Sequence, residues 1–183
     1  MIVRSVRWSD FDHTREIYYR LYEERDRGEP IGITLFENRP SLADEVDWFA
    51  RQYHRVLAGD AVMSVAEVDG RVVGNCVIGR SGPNASSEMG HVGVLGILVD
   101  PAFRGKGVGS ALLRHALDAC RGKFEVVRLS VFSVNEKAQK LYRRFGFEVC
   151  GHVPRAVRRG TTYFDEEEMV LLLDRPPEPG ANR

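Results

Sequence analysis

The 183-residue chain has no excess charge of either sign, no long hydrophobic run and only three cysteines. Lys and Arg total 26, as do Asp and Glu, which excludes the broad positive field that drives non-specific binding to nucleic acid or to anionic membranes. Apolar runs are no longer than a strand, and charged residues soon follow the first methionine, so neither a membrane span nor a secretion signal is predicted. We therefore expect a cytoplasmic protein without nucleic-acid or membrane partners.

The three cysteines, Cys76, Cys120 and Cys150, are odd in number and widely spaced. No CxxC pair and no histidine at metal-ligand spacing accompanies them. They are typical of reduced thiols in a core, and no metal site is predicted.

The length suits one domain, which we place at residues 1–174. Residues 175–183 contain three prolines that follow Asp174 and no apolar run, which is typical of a flexible tail.

Hydrophobic periodicity predicts an α/β chain with the order strand, two helices, three strands, helix, strand, helix and two strands. Ser9 or Asp10 is expected to cap the first helix, and Ser41 with Glu45 the second, after a Gly-, Pro- and Asn-rich loop over 28–40. Asp69-Gly70 joins the first two of the three strands as a hairpin. The predicted strands after the first cover 61–68, 71–80, 91–99, 125–132, 147–153 and 168–173, and the later helices cover 107–121 and 135–145.

A glycine-rich segment lies between the predicted strand 91–99 and the helix that follows, and it reads Arg104, Gly105, Lys106, Gly107, Val108, Gly109. Backbone N–H groups at such a helix start bind phosphate groups, and Arg and Lys add positive charge in an otherwise neutral protein. A tight strand-to-helix connection without a ligand is the alternative interpretation. Neither the dinucleotide-binding fingerprint nor the P-loop pattern fits.

The stretch LGILVDPAFRGKGVGSALL resembles the main acetyl-coenzyme A binding motif of the GNAT superfamily of N-acetyltransferases, with Arg104, Gly107 and Gly109 at its kernel positions. SVFSVNEKAQKLYRRFGFE is similar to the second motif of that superfamily. The resemblance covers about residues 62–173. It implies acetyl-CoA as cofactor and a mixed central sheet of about six to seven strands with about four helices, in which the fourth and fifth strands splay apart.

The resemblance also implies roles for individual residues. Tyr142 would be the general acid, although its spacing from Ala138 and Phe145 also fits an ordinary core aromatic. Asn135 would contact the pantetheine arm, and it also suits a helix N-cap. The remaining residues expected to bind the cofactor, besides the glycine-rich segment, are Ile97, Leu98, Val99, Ser110 and Ala138, with the N–H of Val99 or a neighbour as the oxyanion donor.

The general base is the weakest part of the resemblance. Many relatives carry a glutamate eleven residues before the motif arginine, where this chain has Gly93. His91 lies on the same predicted strand face and is the candidate base, with Glu88 and Glu67 as looser candidates.

These residues predict direct acetyl transfer from acetyl-CoA to a primary amine of a small molecule or peptide N terminus, through a ternary complex. The alternatives are a non-catalytic domain that binds or senses CoA, and an enzyme for protein N termini or lysines. A peptide enzyme should leave an open groove between the loop 28–40 and residues 155–163. An exposed strand edge in the C-terminal hairpin is compatible with a homodimer.

Overall fold

A single mixed sheet organises the chain. The computed structural model describes residues 1–28, 32–82 and 86–173. Within these ranges the strands are β1 Ile2–Ser5, β2 Ala61–Val68, β3 Arg71–Arg80, β4 Val92–Val99, β5 Val126–Phe132, β6 Glu148–Arg159 and β7 Thr162–Leu172. The helices are α1 Phe11–Asp26, α2 Leu42–Leu57, α3 Val108–Cys120 and α4 Glu136–Arg144. The strand order is β1-β2-β3-β4-β5-β7-β6, and β4 and β5 pair in parallel whereas the other neighbours pair antiparallel. The predicted fold class is confirmed.

Local sequence signals account for several element boundaries. Asp69 and Gly70 both have positive φ, 50° and 76°, as a two-residue hairpin turn between β2 and β3 requires. Ser41 caps α2, but the reciprocal carboxylate of the capping box is Asp44 and not the predicted Glu45. The box needs its acid three residues after the cap, so Glu45 is one position too late and turns toward the interior.

The sheet is covered on two faces by different helices. Leu112, Leu113 and Ala116 of α3 pack with Ile78 and Val127 in a core that also includes residues of α4. On the other face, Ile17 of α1 and Phe49 of α2 pack against Met63, Val65 and Val72. We call these the α3/α4 face and the α1/α2 face.

The junction between β4 and β5 is short. Pairing is limited to Val92 with Val126, Gly93 with Val127 and Val94 with Arg128. Beyond Val94, β4 stays paired with β3 as far as Val99 but has no partner on its other edge among the described residues. This is the splay that the resemblance implied.

The last two strands are longer than predicted. The periodicity predicted strands over 147–153 and 168–173. In the structure β6 extends to Arg159, and β7 already begins at Thr162. Two register shifts, at Val149/Gly151 and Val153/Val157, interrupt the alternation that the prediction relied on. The predicted flexible tail lies outside the described residues.

Candidate functional site

The glycine-rich segment forms an open turn before α3. Gly105 and Gly107 have φ of 74° and 83°, and a Cβ added to either would meet no atom within 4 Å. The first hydrogen bond of α3 runs from Ala111 N–H to the Gly107 carbonyl, so the preceding helical N–H groups have no partner in the helix. Buried Val108 fixes the start of the helix in the core. This cradle offers unpaired donors at a positive helix end, which is suited to a diphosphate.

The Arg104 side chain belongs to a clamp between the cradle and α1. Its guanidinium donates two hydrogen bonds to the buried carboxylate of Glu24, at 2.8 and 2.9 Å, and a third to the Val99 carbonyl. Arg20 of the same helix bonds to buried Asp100 at 2.6 Å. Sequence reasoning expected Arg104 to face phosphate, whereas here it fastens α1 to the cradle. Lys106 is exposed and lies over the Phe103 ring.

The edge of β4 that faces the splay has a defined set of backbone groups. Asp100 N–H donates to the Val73 carbonyl on β3. Because backbone groups alternate sides along a strand, the N–H groups of Ile97 and Val99 point toward β5, where β5 has already diverged. These are the groups from which the sequence predicted contacts to the cofactor and the oxyanion.

Side chains from three elements meet behind that edge. Ile97 and Val99 of β4 pack in the same core as Ala138, Leu141 and Tyr142 of α4. A Cβ added to Gly109 would lie 3.4 Å from Leu141 and 3.9 Å from Ile97 and Val99, so α3 starts close to both elements. Ser110 follows in the same first turn and is half-buried. The structure thus brings the two motifs together.

Tyr142 is buried but not hydrogen-bonded. Its ring lies 5.8 Å from that of Phe147, and its hydroxyl has no hydrogen-bond partner in the described part of the chain. Burial raises the pKa of Tyr142, and the nearby Cys76 thiol adds to that shift. A phenol held neutral in this way can donate a proton to a departing thiolate.

Asn135 caps α4, as one of its two predicted roles requires. Its side-chain oxygen accepts from Ala138 N–H at 3.2 Å, and its amide nitrogen donates to the Gly32 carbonyl of the α1–α2 loop at 3.4 Å. Asn135 therefore ties that loop to the start of α4.

The structure does not bring the predicted base to the splay. His91 is exposed at the far end of β4, where its carbonyl accepts from the N–H groups of Glu125 and Val126. At about 3.3 Å per residue, His91 lies roughly 20 Å from Ile97 along the strand. Of the looser candidates, Glu88 is exposed and Glu67 is paired with Arg4 at 2.8 Å.

Gly93 faces the α3/α4 core. A Cβ there would lie 2.7 Å from Ile78 and 3.1 Å from Phe124. A carboxylate at position 93 would be enclosed by apolar groups of this core. It would not lie on the α1/α2 face, so the glycine does not deprive that face of a base.

A cavity of about 800 Å³ opens on the α1/α2 face of the same stretch of β4. Its floor is the backbone and side chains of β3 and β4, and its walls are α1, the α1–α2 loop and α2. The residues that carry its chemistry are Tyr18, Glu45, Asn75, Gly96 and Leu98. A Cβ added to Gly96 would meet no atom within 4 Å, so the missing side chain leaves the floor open.

Sequence reasoning missed Glu45, Asn75 and Gly96. Glu45 was assigned to a cap, but it is 7% exposed and lines the cavity. Asn75 is a polar residue inside the apolar run of β3, and it is also 7% exposed. An asparagine and a glycine that interrupt two adjacent apolar strands are the sequence signals that could have pointed here.

Burial changes the titration of two cavity side chains. It raises the pKa of Glu45, with repulsion from Asp44 adding to the shift and Arg15 opposing it. Burial also raises the pKa of Tyr18, whose hydroxyl lies 3.4 Å from that of Tyr22. Both groups therefore favour their neutral forms more strongly than in water.

Neither a metal cluster nor a membrane-spanning helix is found in the described part of the chain. No three or more His, Cys, Asp or Glu side chains in ranges 1–28, 32–82 and 86–173 lie close enough to hold a metal ion. In the same ranges, no helix has both the length and the apolar character needed to cross a membrane.

Comparisons with known proteins agree with the geometry. A model of the acetyltransferase (GNAT) family matches residues 18–147. The chain is 36% identical over 111 residues to the L-amino acid N-acetyltransferase AaaT of Escherichia coli, covering 59% of this chain and 66% of the relative. It is 38% identical over 107 residues to the N-alpha-acetyltransferase RimI of Mycobacterium tuberculosis, covering 57% and 63%. The matches thus span less than two thirds of these relatives.

A solved structure supports the fold over nearly the whole chain. The GNAT superfamily phosphinothricin acetyltransferase of Sinorhizobium meliloti, in complex with acetyl-CoA, superposes with a TM-score of 0.78 at 22% identity. The superposition covers 97% of this chain and 94% of that one.

Proposed function

Because the chain belongs to the GNAT acetyltransferase family, we propose that it transfers the acetyl group of acetyl-CoA directly to a primary amine. The acceptor is a small molecule or a peptide N terminus, and the reaction proceeds through a ternary complex. The family assignment confirms the resemblance to the GNAT superfamily seen in the two sequence motifs.

The observation that carries the proposal is that one stretch of β4 borders both the splay and the cavity. Ile97 and Val99 face the α3/α4 core and turn their N–H groups to the splay beside the cradle. Gly96 and Leu98, between and beside them, line the cavity on the opposite face. A donor on one side and an acceptor on the other would meet at this strand, which is the arrangement that direct transfer needs.

The chain's own groups account for the steps. Acetyl-CoA supplies an activated acetyl thioester. The N–H groups at the start of α3 would hold its diphosphate, and the N–H of Val99 or a neighbour would donate to the acetyl oxygen as negative charge develops there. Tyr142, kept neutral by burial, would protonate the sulfur as the carbon–sulfur bond breaks.

The α1–α2 loop favours a small acceptor over an extended peptide. Arg159 of β6 donates to the Ile33 carbonyl at 3.2 Å, and Tyr19 donates to the Pro40 carbonyl at 2.9 Å. The bond between Arg159 and Ile33 bridges the gap that a peptide groove would need to keep open.

A cytoplasmic location and a homodimer formed through the outer edge of β6 are further parts of the proposal. Light scattering on the purified protein measures whether it is a dimer.

Acetyl transfer can be measured with the purified chain. We expect thiol release from acetyl-CoA that depends on an added amine, with the acetylated product identified by mass spectrometry. The panel should contain amino acids, polyamines and short peptides with free N termini, and a reaction without amine measures hydrolysis. Tight CoA binding without turnover on any amine would reject transfer and support a sensing domain.

A further inference from the structure

We infer that Glu45, assisted by Asn75, binds the ammonium group of the acceptor inside the cavity and accepts the proton that the amine must lose. The inference rests on the proposed function and adds to it the group that removes the proton. Neither residue belongs to the two motifs by which the chain resembles its family.

Glu45 is a buried carboxylate that forms no ion pair or side-chain hydrogen bond with the described residues, although the charge of Arg15 acts on it from a distance. It is 7% exposed, and no described residue donates a hydrogen bond to it. The adjacent Asp44 behaves differently, because it is exposed and bonds to the Ser41 backbone and hydroxyl at 2.9 and 2.7 Å. Two consecutive carboxylates on one helix therefore have separate tasks, one in the helix cap and one in the cavity.

Asn75 approaches the same cavity from the floor. It pairs with Leu98 in the β3–β4 ladder, is 7% exposed, and its side-chain amide has no hydrogen-bond partner among the residues described. Its carbonyl oxygen can accept from an ammonium beside the Glu45 carboxylate. Both side chains line the cavity and neither has a hydrogen-bond partner among the described residues, so their polar atoms are free to bind a polar ligand there.

Glu45 is the only deeply buried carboxylate in the described lining of the cavity. β3 and β4 contribute no ionisable group to the cavity. The other ionisable side chains in the lining, from α1, the α1–α2 loop and α2, are Arg15, Tyr18, Glu37, Arg39, Asp44, Asp47 and Arg51. The remaining walls are mainly apolar and aromatic, with Phe11, Phe36 and Phe49 among them. A cationic amine on an apolar or aromatic body is the ligand class that fits.

The buried carboxylate is also prepared to take a proton. Burial raises the pKa of Glu45 toward that of an ammonium donor, which lessens the cost of proton transfer. The carboxylate takes one proton from R–NH3⁺, and the neutral amine attacks the acetyl carbon. The carbon–sulfur bond breaks, Tyr142 protonates the sulfur, and the amide nitrogen returns a proton to Tyr142. Glu45 then releases its proton to water.

The kinetic test compares Glu45→Gln with Glu23→Gln. Glu23 is exposed on α1 and outside the cavity, so the same substitution there is a matched control. For the best acceptor of the panel, we expect kcat/KM of Glu45→Gln at pH 7 to fall about tenfold or more, with the KM for acetyl-CoA unchanged. The loss should shrink as the pH rises toward the pKa of the amine, because the neutral amine is then already present. A variant with the wild-type pH profile would overturn the inference.

A binding test is independent of turnover. With CoA bound, wild-type protein should bind phenethylamine more tightly than its neutral analogue 2-phenylethanol, as measured by calorimetry at pH 7. Glu45→Gln should lose that preference, whereas Glu23→Gln should keep it. If no amine reacted, the proposed transfer would be rejected, but the binding comparison would still test Glu45. An equal preference for phenethylamine over 2-phenylethanol in wild type and Glu45→Gln would reject the binding role of Glu45.

Thermal unfolding separates the binding role from a structural one. The pKa of Glu45 is raised in the folded state, so its ionised form destabilises the fold above that pKa and the effect fades as the pH falls through it. Glu45→Gln should therefore melt no lower than wild type at pH 8. A large drop in Tm would show that Glu45 supports the fold instead.

Discussion

At the scale of single residues, Gly96 leaves the floor of the cavity open at β4. Its Cβ position is open space within the cavity floor, and its φ is not in the left-handed region, so a side chain can be added without backbone strain. We expect Gly96→Val to fold normally, since valine favours strands. It should bind acetyl-CoA like wild type but lower kcat/KM for the amine about tenfold or more by filling the cavity.

Gly93→Ala is the matched control for Gly96→Val. A Cβ at position 93 would lie 2.7 Å from Ile78, so this variant should lose stability while its folded molecules retain activity. Melting curves and initial rates measure both effects. Full activity of Gly96→Val would show that the amine does not pass over β4.

Tyr142→Phe tests the proton donor. The hydroxyl has no partner among the described residues, so its removal should leave Tm and CoA binding nearly unchanged. Turnover should fall about 10²- to 10⁴-fold, the usual contribution of a positioned acid. Single-turnover kinetics with a fixed amine give the measurement, and an unchanged kcat would assign Tyr142 to the core alone.

The candidate site was only partly predictable at this scale. The positive-φ glycines of the cradle and the cap formed by Asn135 follow from local chemistry that the sequence displays directly. Glu45 was missed because it was assigned to the cap; the capping-box spacing selects Asp44, but only the packing of α2 shows that Glu45 then lines the cavity. His91 directly precedes the strand that contains Ile97, but the splay starts beyond Val94, and no local pattern marks that position.

At the scale of elements, the clamp couples α1 to the cradle. Glu24 is 4% exposed and binds Arg104 through both carboxylate oxygens. Glu24→Gln removes the negative charge and one of the two carboxylate oxygens that accept hydrogen bonds from Arg104. The cradle should therefore be less well ordered. We expect the Kd for CoA to rise roughly fivefold, or about 1 kcal/mol.

The neighbouring variant Glu23→Gln controls for the charge change in α1. Calorimetry with CoA compares the two, and hydrogen exchange across residues 100–107 reports the order of the cradle. Equal affinities would mean that the cradle keeps its shape without the clamp.

Element prediction succeeded where local signals were strong and failed where register changed. The Asp69-Gly70 hairpin and the Ser41 cap were located because their backbone geometry depends on those residue types. The prediction began β7 too late because the acidic residues over 165–168 hide the strand pattern. Their partners are distant in sequence, as in the bonds from Ser130 to Glu168 and from His152 to Glu167.

At the scale of the whole molecule, the splay leaves an unpaired strand edge inside the sheet. A donor that occupies this edge binds only the folded chain, so it should raise stability by about 2.7 kcal/mol at a concentration of 100 times its Kd. A thermal shift with CoA measures this gain. Hydrogen exchange should slow at the N–H groups of Ile97 and Val99 but not at Asp100, which is already bonded to β3.

Among the described residues, three residue pairs of the strand ladder join β1–β4 to the strands β5, β7 and β6. The sheet therefore consists of two parts, one formed by β1–β4 and the other by β5, β7 and β6, whose ladder pairing is confined to the region near Val92. The α3/α4 core packs across this junction, because it holds Ile78 and Leu95 of β3 and β4 together with Val127 and Leu129 of β5, so side-chain packing and not backbone pairing holds the two parts together.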